Sequence, residues 1–145
     1  MAYGSVAGVE AMTPTLAPFG EDSTPSDDQV EAWLDGATAA IHRELTAAGY
    51  ATPVTATPTK TELDELACLY AAARALDALG LDTTTCANGT RSERMFAEFW
   101  ERLKRLCNSN LAAAGVGLIA ADTGGATAVN ARVRSRQMVR VDRQT

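Results

Sequence analysis

Apolar residues return every three or four positions along three stretches of this chain. That spacing matches the helical period and predicts three amphipathic helices. The first stretch carries Val30, Trp33, Leu34, Ala37, Ile41, Leu45 and Ala48, which places a helix from about Pro25 to Ala48. Two start signals overlap there. Thr24-Pro25 offers a cap followed by proline in the first turn, and Ser26 to Gln29 reads S-x-x-Q, a capping box. Asp27 and Asp28 fall where the helix dipole favours anions. Gly49 supplies the stop, and Tyr50 is placed to fold back on the last turn. The second helix starts near Thr57 or Thr59, where Thr59 to Glu62 reads T-x-x-E, and ends at Gly80. Its stripe is Leu63, Leu66, Ala67, Tyr70, Ala73 and Leu76. The third follows another box, Thr90 to Glu93, and runs to about Asn108. Met95, Phe96, Phe99, Trp100, Leu103, Leu106 and Cys107 give it the strongest apolar face of the chain. Leu111 to Ala114 continues as a short helical piece.

The flanks follow other rules. In residues 1–24 Tyr3, Val6, Val9, Met12, Leu16 and Phe19 recur at helical spacing, but Gly4, Gly8, Pro14 and Pro18 interrupt them. This predicts an irregular N-terminal arm with at most a short helix near Ser5 to Ala11, packed on its own body or on a neighbour. Gly115, Gly117 and Thr123-Gly124-Gly125 mark residues 115–128 as a flexible linker. Beyond it the period changes to two. Val129, Ala131, Val133, Val139 and Val141 hold odd positions, while Arg132, Arg134, Arg136 and Arg140 hold even ones. In an extended strand this puts arginines on one side and valines on the other, with Ser135, Gln137 and Met138 interrupting the pattern. A lone strand is not stable in water, so this arm is either disordered or completed by another protein. The expected architecture is all-α: a small bundle of three main helices over residues 25–114, with an extended basic C-terminal arm over 129–145 able to add as a β-strand to a partner.

Size and composition agree. A chain of 145 residues suits one domain with one modest core. Much of its apolar content is alanine and few residues are aromatic, which favours close-packed helices over a large sheet. Charge is unevenly placed. Residues 130–145 hold Arg132, Arg134, Arg136, Arg140 and Arg143 against Asp142 alone, a net +4, which leaves −9 on the rest of a chain whose total is −5. An acidic body thus carries a basic arm. Residues 1–20 contain no Lys or Arg, so the basic start of a secretory signal is missing. Leu111 to Ala121 is too short and too rich in Ala and Gly to span a bilayer. A soluble protein made in a cytoplasm is expected.

Candidate chemistry is sparse. Cys68, Cys86 and Cys107 are widely spaced with no CxxC, and His42 is the one histidine, so neither a zinc site nor a disulfide framework fits. Cys107 reads as a small core residue, Cys68 and Cys86 as reduced bystanders. His42 reads as a partly exposed helix residue beside Ile41. Gly115-Val116-Gly117-Leu118-Ile119-Ala120 matches G-x-G-x-x-A, yet an Ala-rich stretch precedes it where a dinucleotide site needs a strand. Asn88-Gly89-Thr90 is a glycosylation sequon that also serves as a turn into a helix cap. Glu62, Asp64 and Glu65 fit a first helical turn better than a catalytic carboxylate pair. Glu98 and Arg102 make a weak surface pair. Trp33, Ile41, Leu66, Tyr70, Phe96, Phe99, Trp100 and Leu103 are expected in the core or at a subunit interface. No nucleophile, base or ligand set converges, so no enzyme, cofactor or metal is expected. Partner binding by the arginine arm is the one functional feature, with attraction to nucleic-acid phosphate as its rival.

The layout resembles the head–tail adaptors, also called head–tail connectors or head completion proteins, of long-tailed double-stranded-DNA bacteriophages and gene transfer agents. The resemblance spans roughly residues 1–110. It rests on the opening Met1-Ala2-Tyr3-Gly4, the helix start from Pro25 to Val30, and Ile41 to Val54, which reads IHRELTAAGYATPV. Leu66 to Ala73 and Arg91-Ser92-Glu93 through Phe99-Trp100-Glu101-Arg102-Leu103 also fit. The resemblance implies a helical bundle in a ring of typically twelve neighbouring copies at the head–tail interface of a virion, assembled in the host cytoplasm. Such a ring docks on the portal protein, lengthens the DNA channel, and offers a surface to a stopper or tail-completion protein. DNA passes without sequence-specific binding, and no membrane is involved. In several members the C-terminal segment embraces the portal, which makes Val129, Arg132, Val133, Arg134, Arg136, Met138, Val139, Arg140 and Val141 the expected portal contacts. An acidic wall would let DNA slide without sticking. A small nucleic-acid-binding protein with a basic arm is the alternative, and the acidic body argues against it.

Overall fold

The computed structural model describes residues 2–80 and 89–119. Within them the chain is all-α. Helix α1 spans Val6–Met12, α2 Asp27–Ala47, α3 Thr59–Ala78 and α4 Arg91–Asn108, and a 3₁₀ turn follows at Leu111–Ala114. The three expected long helices are present, joined by α1 as a fourth.

Alanine decides which helix lies at the centre. Beyond its expected stripe, α3 also buries Cys68, Leu69, Ala71, Ala72 and Ala75. A helix apolar over most of its circumference must be enclosed, and α1, α2 and α4 all pack on it. Its alanines let the neighbouring backbones come close. α4 turns Ser92, Phe99, Leu103 and Leu106 inward. Trp100 lies one position round from Phe99, on the flank of that face, and is half-buried, not fully buried.

The helix ends are chemically specified. At α4, Thr90 Oγ1 accepts from the Glu93 N–H at 3.3 Å, while Glu93 Oε2 accepts from the Thr90 N–H at 2.8 Å. At α2 the Ser26–Gln29 box forms, so the helix begins at Asp27 and Pro25 stands before the cap, not in the first turn. The expected T-x-x-E box at α3 does not form. Pro58 occupies the cap position, and Thr59 is the first helical residue, buried in the core. The backbone restriction of proline takes over the task of starting this helix. At the other end of α2, Gly49 has φ +90, the Gly49 N–H donates to Thr46 O, and the Tyr50 N–H donates to Leu45 O at 2.9 Å. This is a Schellman stop with its glycine in the left-handed region.

The described parts of both flanks are tighter than their glycines imply. Tyr3 is 2 % exposed and Val9 fully buried. The Tyr3 N–H donates to Thr38 Oγ1 at 2.9 Å, and the Tyr3 hydroxyl accepts from the Val54 N–H at 2.6 Å. Gly4 and Gly8 face Cys68. A Cβ built at Gly4 would lie 2.9 Å from the Cys68 sulfur and one at Gly8 only 2.6 Å from it. Gly4 also has φ +81, and its N–H donates to Asp64 Oδ1 at 3.0 Å. The glycines that look like helix breakers permit the close approach of α1, at Gly8, and of the segment before it, at Gly4, to Cys68 of α3. Cys68, expected as a bystander, is 5 % exposed and part of the core. At the other flank, residues 115–119 are tied to the body where a flexible linker is expected to begin. Val116 is buried, the Ala51 N–H donates to Gly117 O at 2.7 Å, and the Ile119 N–H donates to Gly49 O at 3.0 Å. Tyr50 pairs with Leu118 as an isolated antiparallel bridge.

Two stability measurements follow. Gly8→Ala is expected to cost about 1–3 kcal/mol by overpacking against Cys68, although alanine is the better helix former. A urea double-mutant cycle with Cys68→Ala should show coupling of about 1 kcal/mol or more; additive costs would contradict the tight contact. Phe99→Ala is expected to cost roughly 3–5 kcal/mol, and Trp100→Ala clearly less, since its ring keeps part of its hydration.

Candidate interaction surface

The residues expected in the core or at a subunit interface divide in two. Ile41, Leu66, Phe99 and Leu103 are buried, whereas Trp33, Tyr70, Phe96 and Trp100 are half-buried. On the α3–α4 side the aromatics form a continuous set. Tyr70 meets Phe96 at 5.4 Å and Phe99 at 5.2 Å between ring centroids, and Phe99 meets Trp100 edge-on at 5.0 Å. Arg74 covers this set. Its guanidinium carbon lies 5.4 Å from both the Tyr70 and Phe96 centroids, and it donates to the Tyr70 hydroxyl at 3.1 Å. A cation over ring faces is attracted by their quadrupoles. The arm residues Val129, Arg132, Val133, Arg134, Arg136, Met138, Val139, Arg140 and Val141 lie outside the described residues, as does Cys86.

The charge pattern sharpens once the helices are in place. No Lys or Arg occurs before Arg43, while residues 1–42 hold Glu10, Glu21, Asp22, Asp27, Asp28, Glu31 and Asp35. Asp28, Glu31 and Asp35 stand at i, i+3 and i+7 on α2, all exposed, so they line one side of it. The ion pairs of the described residues lie elsewhere: Arg43–Glu44, Lys60–Asp64, Arg102 with Glu65 and Glu98, and Arg105–Glu101. Glu31 and Asp35 also form one wall of an open groove of about 280 Å³, whose other lining includes Ser5, Val6 and Leu34.

The remaining polar groups have structural work. Asp64 accepts from the Gly4 N–H and from Lys60 Nζ, the latter at 2.6 Å. Glu65 reaches Arg102 at 3.3 Å and so links α3 to α4. The expected Glu98–Arg102 pair is present at 3.7 Å. Gly89, with φ +86, turns the chain into the α4 cap. Gly115 to Ile119 follows the 3₁₀ turn and runs into the bridge with Tyr50, so no strand leads into the G-x-G pattern. Among the described residues no group of three or more His, Cys, Asp or Glu is placed to hold a metal ion, and no helix is long and apolar enough to cross a membrane.

Burial shifts several titrating groups. It pushes the Cys68 and Cys107 thiols up and disfavours their reactive thiolates. Cys107, expected in the core, is half-buried at its edge. The Tyr3 hydroxyl is raised by burial too, against the opposing bond from Val54. His42 is half-buried, and its ring meets Tyr3 edge-on at 5.3 Å and 87°. Its Nε2 is shut off from solvent with no hydrogen-bond partner. Burial holds its pKa below the ordinary 6.5. Sequence reasoning places His42 beside Ile41 but misses Tyr3, its neighbour across the fold.

The chain matches no family model, no curated protein and no solved structure.

The His42 shift has a definite sign. The unfolded chain takes up the proton more readily than the fold, so stability should fall as pH drops from about 6.5 toward the lower folded value. Urea midpoints of wild type and His42→Gln, compared between about pH 7 and 5.5, should show this loss in the wild type only. Parallel curves would mean that the imidazole is protonated at no cost.

Proposed function

We propose that this chain is a non-enzymatic structural protein of a double-stranded-DNA phage particle: a head–tail adaptor that forms a ring beneath the portal and reaches it with its C-terminal arm. The observation that carries the reading is the order of the parts. A small helical body of net acidic charge ends in an extended exit at Leu118 and Ile119, and a segment of alternating valine and arginine follows. The described body agrees with the helical bundle that the resemblance over residues 1–110 implies. Its partly buried Trp33, Tyr70, Phe96 and Trp100 supply apolar area that lateral neighbours could cover. A ring of identical heterologous contacts closes when the rotation per subunit divides the circle.

The arm would contribute main-chain hydrogen bonds to a sheet edge of the portal and arginines to its acidic groups. The stopper or tail-completion protein would then meet the opposite face of the ring. Nucleic-acid binding by the arm is the second reading, favoured by the arginines alone. It requires affinity that falls steeply with salt. The acidic side of α2 opposes it, because it repels phosphate from the same molecule.

Sedimentation velocity with the cognate portal ring separates the two. The intact chain is expected to form a heavier complex, and the chain truncated after Ala128 to sediment alone while keeping its helical circular-dichroism spectrum. Co-sedimentation of the truncated form at undiminished strength would remove the arm from the portal contact. Failure of both forms to bind, with salt-dependent DNA binding by the intact chain, would replace the adaptor reading with the second one.

A further inference from the structure

The acidic side of α2 has no partner among the described residues, and the chain carries one segment that suits it. We infer that residues 129–141 of the same chain dock along Asp28, Glu31 and Asp35 in the free protein. This inference needs no portal and stands apart from the adaptor reading. Charge complementarity is its first support. Residues 1–42 hold seven acidic side chains and no Lys or Arg, while residues 130–145 hold five arginines and one aspartate.

Reach is the second support. The Ile119 N–H is bonded to Gly49 O at the C-terminal end of α2, so the remaining chain departs from that end. Along the helix axis Asp35 lies about 21 Å back from Gly49 and Asp28 about 31 Å back, at 1.5 Å per residue. Thirteen residues separate Ile119 from Arg132 and span up to roughly 43 Å when extended. Arg132 therefore reaches Asp35 with slack, and a strand continuing toward the N-terminus of α2 carries Arg134 to Glu31 and Arg136 to Asp28. Ala39 and Thr46, small and exposed on the same side of α2, line the route, with the half-buried His42 at its edge.

Pitch is the third. Alternate residues of a strand are about 6.6–6.8 Å apart. The carboxylates stand three and four residues apart on the helix, about 4.5 and 6 Å of rise, within the play of an arginine side chain. The groove beside Glu31 and Asp35 has Val6 and Leu34 in its lining. Those apolar groups can cover an arginine's methylenes while a carboxylate takes the guanidinium.

Limited trypsin digestion of the full chain, with no portal present, tests this. Cleavage after Arg132, Arg134 and Arg136 is expected to be roughly tenfold slower than in a synthetic peptide of residues 126–145, the order of effect that three exposed ion pairs supply. About 0.5 M NaCl should remove most of the protection; the peptide, cut under the same conditions, corrects for salt effects on the protease. D28N/E31Q/D35N, which changes only exposed side chains, should remove it at low salt with an unaltered circular-dichroism spectrum. Cleavage at the peptide's rate in the wild type would overturn the proposal, and so would protection that survives the triple substitution. Protection that grows with protein concentration would overturn the same-chain assignment in favour of a second copy.

Discussion

The fold depends on one tyrosine near the start of the chain. Tyr3 lies where the N-terminal segment, α2 and the α2–α3 connector meet, and it is bonded at both ends: its backbone to Thr38 and its hydroxyl to the Val54 N–H. A buried N–H without an acceptor costs about 1–3 kcal/mol, so the hydroxyl is what allows Val54 to lie inside. Connectors usually stay at the surface because their backbone groups need water. Here a side chain from another element takes the place of water and draws residue 54 into the core. The short helix α1 is then held by this clasp and the Gly4 contact ahead of its start, and by the fit of its own Gly8 against Cys68.

Much of this fold was legible in the sequence, and the parts that were not share a cause. The long helices, the two capping boxes at Ser26 and Thr90, and the glycine stop after α2 are set within a few residues of chain, and local pattern reads them correctly. The start of α3 was misread because T-x-x-E says nothing of where Thr59 points; tertiary burial turned it inward and Pro58 took over. The centrality of α3 is not legible in its stripe, because Leu63, Leu66, Ala67, Tyr70, Ala73 and Leu76 mark one face, while Cys68, Leu69, Ala71, Ala72 and Ala75 lie outside it and are buried only by tertiary contacts. Tyr3 and Cys68 were missed because their roles depend on contacts 35 to 63 residues away along the chain, which no window captures. Glycine was the most misleading letter: Gly4 and Gly8 break a periodicity and at the same time make a close packing surface.

For the candidate site, the sequence supplied charge and order, and the structure supplied direction. Net charge on the body says nothing of which face carries it. The spacing of Asp28, Glu31 and Asp35 puts them on one side of α2, and the structure adds that this side is exposed and away from the ion pairs of α3 and α4. The eight aromatic and aliphatic residues expected in the core or at an interface were identified as a group, but sequence could not sort the buried four from the half-buried four. That sorting turns on a 100° step around a helix, as Phe99 and Trp100 illustrate.

Tyr50 joins parts of the molecule that are far apart in sequence. Its N–H closes α2, its backbone bridges Leu118, and its hydroxyl donates to Ser109 O just beyond α4 at 2.8 Å. A pull on the chain beyond Ile119 therefore does not peel away a loose tail. It loads the short bridge first and, through one aromatic side chain, the ends of two long helices together. A load applied beyond Ile119 would thus be shared with the ends of α2 and α4.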